Sequence, residues 1–156
     1  MSSSSSGRDP LAPCGPLQAL VAESFGLLEL QQSGRHRSLL EKLRGRVVCL
    51  RSGGEVFVMD FTTADLRFRG GVSGADSAAD VDVAFDRVLI NDLVSGALDL
   101  QQALLSDRLR VVGSFSEVVR LYDALETYLH AAVRSLSFPE LWRRHRHEFA
   151  GEEKGV

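Results

Sequence analysis

The run RVVCLRSGGEVFVMDF, residues 46–61, constrains the fold more than any other stretch. Two β-rich segments flank Ser52-Gly53-Gly54, and a glycine pair in that setting predicts a tight hairpin. Side chains alternate along a strand, so Phe57, Met59 and Phe61 share one face while Val56 and Val58 share the other. The next segment, ADLRFRGG, reads as a third strand with Leu66 and Phe68 inward and Arg67 and Arg69 outward. A Gly/Ser-rich loop, GGVSGADSA, separates it from a fourth strand, DVDVAF, with Val81, Val83 and Phe85 inward.

Helical patterns surround these strands. Pro16 suits a first helical turn, and Leu17, Leu20, Val21, Phe25 and Leu28 then fall on one face. QSGRHR interrupts that pattern before a short helix carrying Leu39, Leu40 and Leu43, which ends near Gly45. Residues 93–114, LVSGALDLQQALLSDRLRVVGS, read as a helix end, a break, a second helical turn and a fifth strand. Arg108 and Arg110 face outward on that strand, where Asp80 and Asp82 are expected partners.

Ser114 and Glu117 form a capping-box pattern before a long apolar stripe of Phe115, Val118, Val119, Tyr122, Leu125, Leu129, Ala132 and Val133. Ser137 and Glu140 suggest a second box, opening a helix with Phe138, Leu141, Trp142 and Phe149. Helices, a meander, a lone strand and further helices describe an α+β layer built on one sheet.

Bulk properties exclude several classes. A chain of 156 residues with 44% hydrophobic and 25% charged residues is expected to be one globular domain. A net charge of -3 argues against nucleic acid as a partner, because phosphate binding needs a basic surface. Cys14 and Cys49 do not form a disulfide framework, which fits a cytoplasmic location. The serine-rich leader, residues 1–15, reads as disordered rather than as a secretory signal, and residues 151–156 as a flexible tail. No run is apolar for the ~18 residues a membrane span requires.

No nucleophile-elbow or zinc-hydrolase motif occurs, so catalysis and metal binding are not expected. His145 and His147 are two residues apart and point to different sides of a helix, which does not suit zinc. The run WRRHRHEF has two readings: a docked terminal helix with a solvated face, or transient contact with an anionic membrane.

From Ala79 to Leu125 the chain resembles the sterol carrier protein 2 family. ADVDVAF stands where that family has its AD-initiated strand. LVSGALDLQQAL follows the family pattern L-x-x-G-x-x-x-P-Q-x-A-F/L through Leu93, Gly96, Gln101 and Ala103. DRLRVVG follows G-K-L-K-I-x-G through Leu109, Val111 and Gly113, with arginines in place of lysines. Leu100 replaces the pattern's proline and Asp107 its first glycine.

The resemblance implies a five-stranded, mostly antiparallel sheet with helices on one face, enclosing an apolar tunnel within residues 16–150. It implies non-enzymatic binding and carriage of a sterol, fatty acyl or isoprenoid lipid, with no cofactor. An accessory role, presenting a lipid-like intermediate such as a quinone precursor to biosynthetic enzymes, is the alternative. The implied lipid contacts are Phe57 and Met59 on the hairpin, and Leu93, Gln101, Leu104 and Leu105 around the break. Leu109 and Val111 on the fifth strand and Phe115, Leu125 and Leu129 on the long helix complete the set. Gln101 is expected to meet the polar head of the lipid, since an amide both donates and accepts.

Overall fold

A computed structural model of the chain describes residues 15–70 and 79–144. Residues 1–14 of the expected leader, the tail, most of the Gly/Ser-rich loop, and His145, Arg146, His147 and Phe149 lie outside the described residues. The chain order is α1 (Pro16–Gln31), α2 (Ser33–Leu43), β1 (Val47–Ser52), β2 (Glu55–Asp60), β3 (Arg67–Gly70) and β4 (Val81–Phe85). Then come α3 (Arg87–Ser95), α4 (Leu100–Leu105), β5 (Leu109–Gly113) and α5 (Phe115–Arg134), with residues 138–144 again helical.

The strands form one sheet in the order β3-β2-β1-β4-β5. Every pairing is antiparallel except that of β1 with β4, so the sheet is mixed but mostly antiparallel, and the fold is α+β. The predicted hairpin is present: Ser52 pairs with Glu55, and Gly53 and Gly54 take positive φ of 57° and 86°. Both turn residues in the left-handed region match the twist of the flanking strands, and only glycine adopts it without cost.

Alternation sorts the two faces. Val48, Phe57, Met59, Val81, Val83 and Leu109 join the helices in one core, while Val47, Cys49 and Val58 form a separate small cluster with Val56 and Ala79. The hairpin also anchors the first helix. Gly15, at the N-cap of α1, has no side chain to cap with, and the Glu55 carboxylate takes that role. It accepts from the backbone N–H of Leu17 at 3.1 Å and of Gln18 at 2.9 Å. A Cβ on Gly15 would run into that carboxylate, so a side chain there would have to push the Glu55 cap aside.

Three expectations need correction. QSGRHR interrupts the helical pattern far less than expected: α2 starts at Ser33, and the interruption is the single residue Gln32, with φ −139° and ψ 55°. Hydrogen bonds from Gln32 N to Leu28 O and from His36 N to Gln32 O carry the helical pattern through that elbow. The outward ion pairs also differ. β1 is the direct neighbour of β4, so Asp82 binds Arg51 in a two-pronged contact at 3.0 Å, and Asp80 accepts from Val47 N. Arg108 instead reaches Asp86 at 3.3 Å and Asp92 at 2.9 Å, and Arg110 faces Asp107 at 3.5 Å.

The third concerns the caps and stripe of α5. Ser114 caps Glu117 N, but the Glu117 carboxylate turns to Arg46 Nε at 2.7 Å rather than back to the cap. Ser137 Oγ accepts from Gln31 Nε2 at 2.7 Å, which ties the last helix to the end of α1. The buried stripe of α5 is Leu121, Ala124, Ala131 and Ala132, with Phe115, Val119 and Val133 exposed. Tyr122, Leu125, Leu129 and Ala132 of the expected stripe do pack into the core, and the buried alanines let the helix approach closely between them.

Candidate functional site

Helices and sheet do not close completely on each other. Between them lies a cavity of about 130 Å³. The sheet floor contributes Val48 and Leu50 from β1, Met59 from β2, Val83 and Phe85 from β4, and Leu109 from β5. Leu20, Val21 and Phe25 of α1, Leu39 and Leu43 of α2, and Leu121, Ala124, Leu125, Tyr128 and Leu129 of α5 form the roof. Leu89, Ile90 and Leu93 of α3 with Leu100 of α4 form a side wall. Such a void forfeits dispersion contacts, so its lining gains from an apolar occupant.

Tyr128 carries the one side-chain oxygen or nitrogen among these wall residues. Its ring packs between Phe25, with centroids 5.8 Å apart, and Phe138, 6.1 Å away edge-on. The hydroxyl donates to Ser24 Oγ at 2.7 Å, and Ser24 Oγ donates to the Val21 carbonyl at 2.7 Å. Burial pushes the Tyr128 phenol up to about 12, opposed by its hydrogen bond to Ser24. The side chain is therefore neutral across the physiological range.

Met59, Leu93, Leu109, Leu125 and Leu129 lie together on the cavity wall. Phe57 is fully buried but sits in solid packing, its ring 6.1 Å from that of Phe68. Val111 and Leu104 pack partly buried against the core without reaching the wall. Leu105 is 81% exposed and Phe115 83% exposed, so neither can line the cavity. Gln101 is exposed as well and is not part of the cavity wall.

The reason lies in α4. Asp99 Oδ1 accepts from Gln102 N at 2.8 Å, while Gln102 Oε1 accepts from Asp99 N at 3.0 Å, a reciprocal capping box. That cap sets the helix phase so that Leu100 and Ala103 point inward. Gln101 and Leu105 are turned out by the same rotation. Leu100 is one of many wall residues absent from the expected contacts, with Phe25, Leu89 and Tyr128 among the others. The signal for Leu100 was available, since an Asp N-cap one residue earlier makes Leu100 and Ala103 an i, i+3 pair.

Both departures from the family pattern have local explanations. Leu100 opens α4, at a position where proline is also well accommodated. Asp107 has φ of 66°, the left-handed conformation that favours glycine and that Asp tolerates better than most residues.

The last helix is docked. Trp142 is 6% exposed and its Nε1 donates to Asn91 Oδ1 of α3 at 2.8 Å. Arg143 pairs with Glu140 at 3.1 Å and Arg144 with Glu23 at 3.3 Å. Among the described residues, no group of three or more His, Cys, Asp and Glu is placed to hold a metal ion. None of the described helices is long and apolar enough to cross a membrane.

With this geometry in view, comparison with known proteins is specific. The profile of the SCP-2 sterol transfer family matches residues 26–126. No curated protein sequence matches the chain. The structure is similar to a UbiJ-SCP2 ubiquinone synthesis protein, at 21% identity and a TM-score of 0.51, covering 74% of this chain and 99% of that one. It is similar to sterol carrier protein 2 of Yarrowia lipolytica in its apo form, at 16% identity and TM-score 0.51, over 78% and 98%. The sterol carrier protein domain 2 of Helicoverpa armigera aligns at 16% identity and TM-score 0.55, over 81% and 96%. At these identities the likeness is one of fold.

Proposed function

This chain belongs to the SCP-2 sterol transfer family, and from that premise we propose that it binds a hydrophobic lipid in its internal cavity and carries it, without transforming it. The observation that supports this reading is the wall itself, apolar on every side except at one tyrosine. Apolar burial worth ~25 cal/mol per Å² then supplies affinity without any cofactor. The decisive experiment is solvent extraction of purified protein and mass spectrometry of what is released, followed by rebinding of sterol, fatty acyl and isoprenoid probes. A recovered lipid, chemically unchanged after incubation, supports carriage. Absence of any lipid together with failure to bind all three probe classes would sink it.

A second reading is an accessory role, presenting a lipid-like intermediate to biosynthetic enzymes. It draws on the shared fold of the UbiJ-SCP2 ubiquinone synthesis protein. Affinity purification from the host distinguishes the two: co-elution of biosynthetic enzymes with an isoprenoid favours the accessory role. Transient membrane contact through the C-terminal helix belongs to this proposal too, as does a cytoplasmic location. Arg143→Ala with Arg144→Ala should slow transfer to anionic vesicles more than to neutral ones for the membrane reading to stand. Cell fractionation tests the compartment.

A further inference from the structure

The cavity is small for a lipid. Its volume of about 130 Å³ lies below the ~300–1,000 Å³ of pockets that enclose a drug-sized ligand. An engineered apolar void of ~150 Å³ takes benzene. A fused sterol nucleus is far larger than that and too rigid to enter in part. A flexible chain differs, because its last few carbons can enter while the rest stays outside.

The surface offers that remainder a track. Leu129 and Leu125 of α5 border the cavity but are only half-buried. Tyr122, Val119 and Phe115 continue from them at spacings of three, three and four residues, which places all five along one side of the helix. Tyr122 packs partly buried against the core, while Val119 and Phe115 are exposed. The side of α5 that meets α2 is a different one, marked by Asp123 on the Lys42 ammonium and Arg120 on the Lys42 carbonyl. The apolar wall thus runs out of the cavity and over ~15 Å of helix surface, from Leu125 to Phe115.

We propose that the cavity holds only the end of a flexible apolar chain and that the rest of the chain lies along this ridge, so that linear acyl and isoprenoid lipids bind in preference to sterols. The assignment rests on the lipid-carrier reading and narrows its ligand class. The ridge is given to a lipid chain because it continues the cavity wall, and because the cavity alone is too small to enclose one. The polar head then stays in water, so the absence of Arg, Lys and His from the wall is no obstacle to a fatty acid.

Displacement of a fluorescent fatty acid by octanoate, palmitate and cholesterol tests it. Palmitate should bind more tightly than cholesterol by about tenfold or more, the factor that overpacking a close-packed wall exacts. Phe115→Ser, on the surface, should weaken palmitate about fivefold, the factor carried by a few tens of square ångströms of apolar contact, and leave octanoate within about twofold. Ala124→Leu, which grows into the cavity, should weaken both acids. If that variant does not fold, Phe115→Ser decides by itself. Cholesterol binding as tightly as palmitate, palmitate unmoved by Phe115→Ser, or octanoate unmoved by a folded Ala124→Leu each overturn the assignment and leave the carrier reading in place. A concentration-dependent dimer that Phe115→Ser abolishes, with palmitate unmoved, gives the ridge to a second copy of the chain instead. Failure of the wild-type protein to bind any of the three overturns the carrier reading and this inference together.

Discussion

Phe57 and Leu109 stand on the same face of the same sheet, and both are nearly inaccessible. Phe57 meets solid packing, whereas Leu109 borders the cavity. Burial alone does not separate a structural core from a binding wall. What separates them is what lies on the far side of the side chain, and that depends on how closely the opposing helices approach.

The largest expected effect tests this contrast directly. Phe57→Ala should cost ~3–5 kcal/mol in urea denaturation, because a fully buried ring leaves a new void. Leu109→Ala should sit near the bottom of the ~2–5 kcal/mol range for buried leucines, since it enlarges a void already present. Equal costs at the two sites would erase the distinction between solid core and cavity wall.

Tyr128 sharpens the contrast through pH. Its folded value of about 12 lies above the ordinary phenol value, so the fold favours the neutral form. Stability from this group is fully present below about pH 10 and is lost as pH rises from there to about 12, amounting to about 2–3 kcal/mol. Tyr128→Phe should flatten that part of the stability curve. A slope identical to wild type would show that the phenol is not held by the cavity.

Smaller effects are expected outside the wall. Asp107→Gly should stabilise the protein by up to about 1 kcal/mol, by relieving a left-handed backbone, as read from the melting temperature. The adjacent glutamines should separate cleanly. Gln102→Ala should cost about 0.5–1 kcal/mol through its capping box, while Gln101→Ala should stay within about 0.5 kcal/mol and leave lipid affinity unchanged. A drop in affinity for Gln101→Ala alone would restore it as a head-group contact.

The sequence makes the strands and their inward faces legible because β alternation needs no partner to be read. Val81, Val83, Met59 and Leu109 all face the helices as the period of two requires. Helical phase is harder to read. On α5 Leu125 and Leu129 were legible as an inner face, whereas Ala124 and Ala131, buried on the same helix, are hidden by their small size. On α4 the phase follows from a side-chain cap at Asp99, so Leu105 and Gln101 rotate outward together. Tyr128 was legible only as an aromatic. Its hydrogen bond to Ser24 joins residues on α1 and α5, a pairing that no local pattern announces.

The sheet's one parallel pairing has a kinetic meaning. β1 meets β2 across a two-residue turn, a contact that forms in microseconds for isolated hairpins. Its other edge must wait for β4, which returns only after β2 and β3 have been passed. Closing that longer loop costs more chain entropy, so the assembly of β4, α3 and β5 follows the hairpin in time. The cavity draws its floor from both groups of strands, so it comes into being only at that late step. A chain whose β4, α3 and β5 have yet to dock would thus present only part of that wall, and the whole enclosure would arrive with the last strands.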